Sequence, residues 1–164
     1  ASYATKKLPL LKLQQLCKKI NFPIVLVGGP EDAKEGDAVA AIDPVKIYNA
    51  CGKFSLNESA SIVQKSRVVI SHDTGLQYIA CAFNKPVLAI WGSTSPMLQV
   101  EPYYGEVTLA AMGLSKPPYQ NFIVPHLTCQ PCSNYGTKKC PKGHFNCMML
   151  QDTTAIAAAV EKYL

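Results

Sequence analysis

Arg67-Val68-Val69-Ile70-Ser71-His72-Asp73-Thr74-Gly75-Leu76-Gln77-Tyr78-Ile79-Ala80, followed shortly by Pro86-Val87-Leu88-Ala89-Ile90, decides the fold. A short apolar run meets a polar Asp-Thr-Gly turn. A helix-forming stretch comes next, then a second apolar run. That order is one βαβ unit, whose turn lies at the carboxyl end of a strand and at a helix N-terminus. In an open parallel sheet, ligands bind at that edge. A helix N-terminus presents unpaired N–H groups and a partial positive charge, so it suits an anion such as a pyrophosphate. Asp73 can accept hydrogen bonds from sugar hydroxyls, and Gly75 lets a phosphate approach the backbone. The simpler alternative is that Asp73 or Thr74 only caps the helix.

The flanking sequence repeats the pattern. Residues 10–20 carry apolar side chains at 10, 13, 16, 17 and 20, one stripe of an amphipathic helix started by Pro9. Ile24-Val25-Leu26-Val27 is an all-apolar strand, as in a parallel sheet covered on both faces. It runs into the loop Gly28-Gly29-Pro30-Glu31-Asp32. Residues 33–42 form a weaker helix candidate interrupted by Gly36, and 45–48 a short strand. Ser55 and Glu58 have capping-box spacing for a helix running to about Lys65. Trp91-Gly92-Ser93-Thr94-Ser95-Pro96 is a polar turn after the last clear strand. Residues 106–110 are expected as a strand inside a long irregular stretch, and 153–164 as a closing helix. Loops around Asp32, Phe54, Asp73 and Gly92 thus converge on one edge of a doubly wound, Rossmann-like parallel sheet. The expected organisation is one α/β domain over 1–164, with an irregular Cys-rich segment at about 126–150. No G-x-G-x-x-G and no P-loop signature occurs, which removes the main support for a dinucleotide dehydrogenase or a P-loop NTPase.

Composition narrows the class. The 164 residues are 48% hydrophobic with net charge +5. No apolar run approaches the roughly 20 residues of a membrane span. The first residues lack the apolar core of a signal peptide, so the expected location is cytoplasmic. Arg67 is the only arginine, which argues against a nucleic-acid reader, since such proteins rely on arginine forks. A lysine excess suits a phosphorylated small molecule, an anionic membrane surface or plain solubility.

Several segments together resemble the C-terminal domain of glycosyltransferase family 9, the ADP-heptose:lipopolysaccharide heptosyltransferases. They are Thr5-Lys6-Lys7-Leu8-Pro9, Val27 to Asp32, Gly52-Lys53-Phe54-Ser55-Leu56, Asp73-Thr74-Gly75 through Ala80, Lys85-Pro86-Val87 and Gly92 to Pro96. The resemblance implies the donor-binding half of a two-domain GT-B enzyme, inverting and needing no cofactor. It implies ADP-heptose or a similar nucleotide-sugar as donor. A lipopolysaccharide-type acceptor would be held by a domain outside these residues, with peripheral association at the cytoplasmic face of the inner membrane. By the same resemblance Glu31 or Asp32 holds the ribose, Phe54 lines the base slot, and Thr74 and Gly75 bind the diphosphate through N–H groups. Asp73 holds hydroxyls of the sugar and Lys6 neutralises phosphate. Tyr78 takes the place of the family's motif histidine. It can donate one hydrogen bond but carries no positive charge near neutral pH. His72 reads as an incidental loop histidine. No residue fits the acceptor-activating base: Asp43, Glu101 and Asp152 read as solvated or capping. The expectation is therefore a fragment that binds donor and is inactive alone.

Seven cysteines remain. Cys17, Cys51 and Cys81 sit singly among apolar or small residues and read as small buried hydrophobes. Cys129, Cys132, Cys140 and Cys147, with His144 between the last two, offer soft ligands for a structural zinc. Reduced thiols and disulfides are the other two readings. Two further function classes stand beside the leading one. One is a zinc-ribbon-like nucleic-acid module using Lys138, Lys139 and Lys142. The other is half of a nucleotide-sugar epimerase.

Overall fold

The computed structural model describes residues 2–164. Five parallel strands form between helices: β1 (Ile24–Leu26), β2 (Ile47–Asn49), β3 (Val69–His72), β4 (Val87–Ile90) and β5 (Tyr119–Phe122). The helices are α1 (Leu10–Lys19), α2 (Ala33–Ala40), α3 (Leu56–Lys65), α4 (Gly75–Ala82), α5 (Glu106–Ala111), α6 (Asn146–Met149) and α7 (Thr153–Val160). The alternation is that of a doubly wound α/β domain.

The strands do not form one sheet. Among the described residues β1 pairs only with β2, and β3, β4 and β5 form a second parallel sheet. β1 and β3, which the expected single sheet would join, have no ladder between them. Burial follows from this. Every residue of β4 is buried, as a central strand requires, whereas Val25 in β1 is 46% exposed.

β4 shows the period of two that builds the core. Leu88 and Ile90 pack on one face with Leu16, Met148 and Ile156, from α1, α6 and α7. Val87 and Ala89 pack on the other, with Val63 of α3 and Ala80 and Cys81 of α4. A smaller cluster of Cys17, Val39 and Ile47 holds the β1–β2 sheet against α1 and α2. Burial raises the Cys17 thiol to about 11, so it acts there as a hydrophobe.

Several expectations change. Helix α2 runs straight through Gly36, where a side chain would strike the Asn49 amide. Glycine here admits β2 to the helix rather than breaking it. Residues 106–111 are helix, not strand. β5 arises in the stretch expected to be irregular. Its polar Asn121 is satisfied by accepting from Trp91 Nε1 at 2.8 Å and donating to Glu101 at 2.6 Å. Glu101, which also accepts from Tyr119 at 3.2 Å, is therefore a network acceptor and not a solvated group. Asp152 caps α7 as expected, accepting from the Thr154 and Ala155 N–H groups.

Candidate functional site

The gap between the two sheets is a cleft of about 1430 Å³. Its floor is apolar and includes Leu16, Ile24, Ile62 and Val69. Its mouth is polar and lies where β1 and β3 end, the edge at which parallel sheets bind ligands. Lys6, Glu31, Asp32, Phe54, Asp73, Thr74 and Gly75 all line it.

The turn after β3 settles the capping question. Thr74 is the N-cap of α4 in extended geometry, yet no side chain accepts from the helix N–H groups and the first turn holds no acid. Asp73 is turned away to an ion pair with Lys6 at 2.8 Å. A side chain at Gly75 would meet nothing within 4 Å. The α4 N-terminus is therefore uncapped, open and positively polarised, the kind of helix end that can receive an anion.

A second carboxylate faces it across the cleft. Asp32 ion-pairs with Lys7 and accepts from the Gly29 N–H at 3.2 Å. Burial alone would raise its carboxyl, but Lys7 and the Gly29 N–H outweigh that and hold it below its ordinary range. Phe54 is 41% exposed at the same mouth, leaving a ring face free for stacking.

The lysines are held from both sides. Thr5 is buried, bonding Ser93 Oγ at 2.9 Å and accepting from the Thr137 N–H at 2.7 Å. Leu8 is buried, and its N–H donates to His72 Nε2 at 3.0 Å. His72 is thus no incidental loop residue. It ends β3, accepts through Nε2, and so keeps its proton on Nδ1. Burial, then the lysines nearby, lower it to about 4, and it stays neutral near pH 7. Gly136, at φ +97, closes over the same segment, because a side chain there would strike Lys6 and Tyr3.

Tyr78 stands apart from its expected role. Its hydroxyl donates to the Val100 carbonyl at 2.9 Å, and its side chain is not among those lining the cleft. The side chain of its neighbour Gln77 donates to the same carbonyl at 3.0 Å. Both residues fasten the Val100 loop to α4.

Of the four cysteines offered as zinc ligands, Cys129, Cys132 and Cys140 lie at or near the surface and Cys147 is buried. Cys147 is buried in the core beside Met148, and burial, then the other three thiols, push it to about 11. Cys129 Sγ lies 3.9 Å from His144 Nε2. His144 Nδ1 accepts from the Asn146 N–H at 3.0 Å, which leaves Nε2 as the ring nitrogen facing that thiol. Among the described residues, no three His, Cys, Asp or Glu side chains gather as metal ligands. The segment is ordered by other means. Gln130 Nε2 donates to the Gly92 carbonyl at 2.7 Å and the Thr94 carbonyl at 3.1 Å, and the Cys132 N–H donates to the Ser93 carbonyl.

Sequence reading missed Lys7 and His72. Lys6 ends a 3-10 turn (Ala4–Lys6) and Lys7 follows it in extended backbone, and this change of direction sends two adjacent lysines to two different loops.

The fold is a parallel α/β domain with an uncapped helix N-terminus facing a carboxylate-lined cleft, and comparison with known proteins places it in a family. A sequence model of glycosyltransferase family 9 (heptosyltransferase) matches residues 1–121, and the chain belongs to that family. Lipooligosaccharide heptosyltransferase 2 of Haemophilus influenzae is 30% identical over 89 residues, 52% of this chain and 26% of that protein. Lipopolysaccharide heptosyltransferase 2 of Escherichia coli is 26% identical over 98 residues, 56% of this chain and 28% of that protein. Among solved structures, E. coli ADP-heptose LPS heptosyltransferase II matches with a TM-score of 0.70 at 16% identity, covering 98% of this chain and 43% of that one. E. coli heptosyltransferase WaaC with ADP matches at 0.67 and 17%, covering all of this chain and 42% of that one. At such identities the structural likeness concerns the fold. Neither the nucleic-acid module nor the epimerase finds support among these matches.

Proposed function

We propose that this chain is the donor-binding half of a heptosyltransferase, taking ADP-heptose or a closely similar nucleotide-sugar for transfer to a lipopolysaccharide-type acceptor. The observation that carries the reading is the uncapped α4 N-terminus opening on a cleft whose mouth also holds Asp32, Asp73, Lys6 and Lys7. The diphosphate would lie against the Thr74 and Gly75 N–H groups, with the base on Phe54 and the ribose at Glu31 or Asp32. As the glycosidic bond to the diphosphate breaks, negative charge builds on the leaving oxygen. A fixed helix N-terminus and Lys6 meet that charge without reorganising, and so favour the transition state over the ground state. Asp73 would take hydroxyls of the sugar once Lys6 turns to phosphate.

Support for the sugar comes from the relatives, one of which is described with ADP. The chain spans 43% of the length of a solved heptosyltransferase. Of the carboxylates along the cleft, Glu31, Asp32 and Asp73 would serve the donor and Glu35 has no assigned part, and the base for transfer would come from the acceptor side. The reading keeps the cytoplasmic location, with peripheral contact at the inner membrane. No helix among the described residues is long and apolar enough to cross a membrane. Calorimetric titration with ADP, UDP and GDP is the test. Binding of ADP in preference to the others is expected, and binding of none would end the donor-site reading.

A further inference from the structure

Lys7 is a second cation in the cleft, one residue from Lys6, and the free protein commits both. Lys6 pairs with Asp73 on the β3–α4 turn, and Lys7 pairs with Asp32 on the β1 loop. The two pairs span the gap that β1 and β3 leave open. All four side chains are largely enclosed, at 15% and 12% exposure for the first pair and 24% and 17% for the second. Screening by water is weaker there than on an open surface.

The backbone under the lysines is fixed. Thr5 is locked between Ser93 and Thr137, and Leu8 is buried and bonded to His72. The backbone of Lys7 is extended, at φ −103 and ψ 142. Only the flexible lysine stems are free to redirect, and little order must be added when they do.

A nucleoside diphosphate entering this mouth brings multiple negative charges into a site whose cations and carboxylates now cancel. Asp32 and the diphosphate cannot both stay unpaired in a partly enclosed cleft without large cost. Asp32 has an alternative set of partners in the ribose hydroxyls and the Gly29 N–H it already binds. The diphosphate has Lys7.

We propose that Lys7 is a phosphate ligand of the donor site, exchanging Asp32 for the diphosphate as the nucleotide enters and so releasing Asp32 to the ribose. The proposal rests on the donor-site reading above and assigns it a second cation. It makes the site neutral and self-closed when empty, and positive only when a diphosphate draws the lysines out.

The test compares ADP with adenosine by calorimetry on the 164-residue chain and its variants. Lys7→Met is expected to lower ADP affinity about tenfold, while adenosine, which has no phosphate to draw Lys7 off Asp32, should bind no more weakly. Lys7→Arg is expected to stay close to wild type for both. Asp32→Asn removes the competitor for Lys7, so the ratio of ADP to adenosine affinity should rise there while it falls in Lys7→Met. Opposite movement of one ratio is not produced by general loosening of the fold, and thermal melts of each variant check that it remains folded. Equal loss of ADP and adenosine in Lys7→Met would mean that Lys7 only positions Asp32, and would overturn the proposal. An unchanged ratio in both variants would overturn it as well. Wild type binding neither ADP, UDP nor GDP would remove the donor site itself, an outcome distinct from a donor site that ignores Lys7.

Discussion

Helices α3 and α4 start at the same edge of the molecule, and their first turns are built in opposite ways. At α3, Ser55 accepts from the Glu58 N–H and Glu58 reaches back to the Ser55 N–H at 2.8 Å, a closed capping box. At α4, Thr74 caps nothing, no acid sits in the first turn, and the preceding carboxylate is drawn off to Lys6. One N-terminus satisfies itself and is only structural. The other leaves its first N–H groups without a side-chain acceptor. A helix end without a cap forgoes about 1 kcal/mol, and the stability forgone at α4 marks where a ligand is expected to supply the missing acceptor.

The sharpest way to break the contrast is to move a cap across. Thr74→Asp places a carboxylate at the N-cap of α4. The helix should gain a few tenths to about 1 kcal/mol, raising the melting temperature. Nucleotide affinity should fall on the order of a hundredfold, or about 3 kcal/mol, because the new carboxylate occupies the anion position. A rise in melting temperature with unchanged ADP binding in calorimetry would show that the bare turn is not the phosphate site.

His72, just before that turn, has no counterpart before α3 and gives the next effect. Its folded value near 4 lies below an unfolded value of about 6.5. Between those values the unfolded chain takes up a proton that the folded chain refuses. Stability should therefore drop as pH falls from about 6.5 toward 4, by roughly 2 kcal/mol across the window. His72→Asn should flatten that part of the curve of melting temperature against pH, whatever it does to stability at pH 7. An unaltered slope would mean that burial does not hold the ring neutral.

Ser55→Ala is the smallest change and the control for the pair. Losing one half of an exposed capping box should cost about 0.5–1 kcal/mol, read by denaturant melts. ADP binding should be untouched, since α3's cap takes no part in the anion site.

The contrast between the two helices was only partly legible in the sequence. Ser55 and Glu58 announce their box by spacing, because both partners lie within one helical turn. Thr74 and Asp73 are equally good capping residues by type, and nothing local says that they decline. What draws Asp73 away is Lys6, far off in the chain. The same limit explains the misassigned segment 106–111. Glu106-Val107-Thr108-Leu109-Ala110-Ala111 is barely more than one helical turn with mixed propensities, so packing decides. It explains β5 too, whose Gln120 and Asn121 look like loop until Trp91 and Glu101 are seen to satisfy the asparagine. It also applies to the cysteines, whose spacing gives no sign that Cys147 is packed in the core.

The sequence by itself determined the order of strands and helices, the apolar run of β4, and a glycine turn at a strand's carboxyl end. Each depends on neighbours a few residues apart, which periodicity and local hydrogen bonding fix. Tertiary structure alone decided that β1 and β3 stand apart and make a cleft. It also decided that Lys6 and Lys7 bridge its two sides, and that His72 fixes their backbone. Those facts depend on contacts between residues dozens of positions apart, and such contacts are set by how whole layers pack rather than by any local rule.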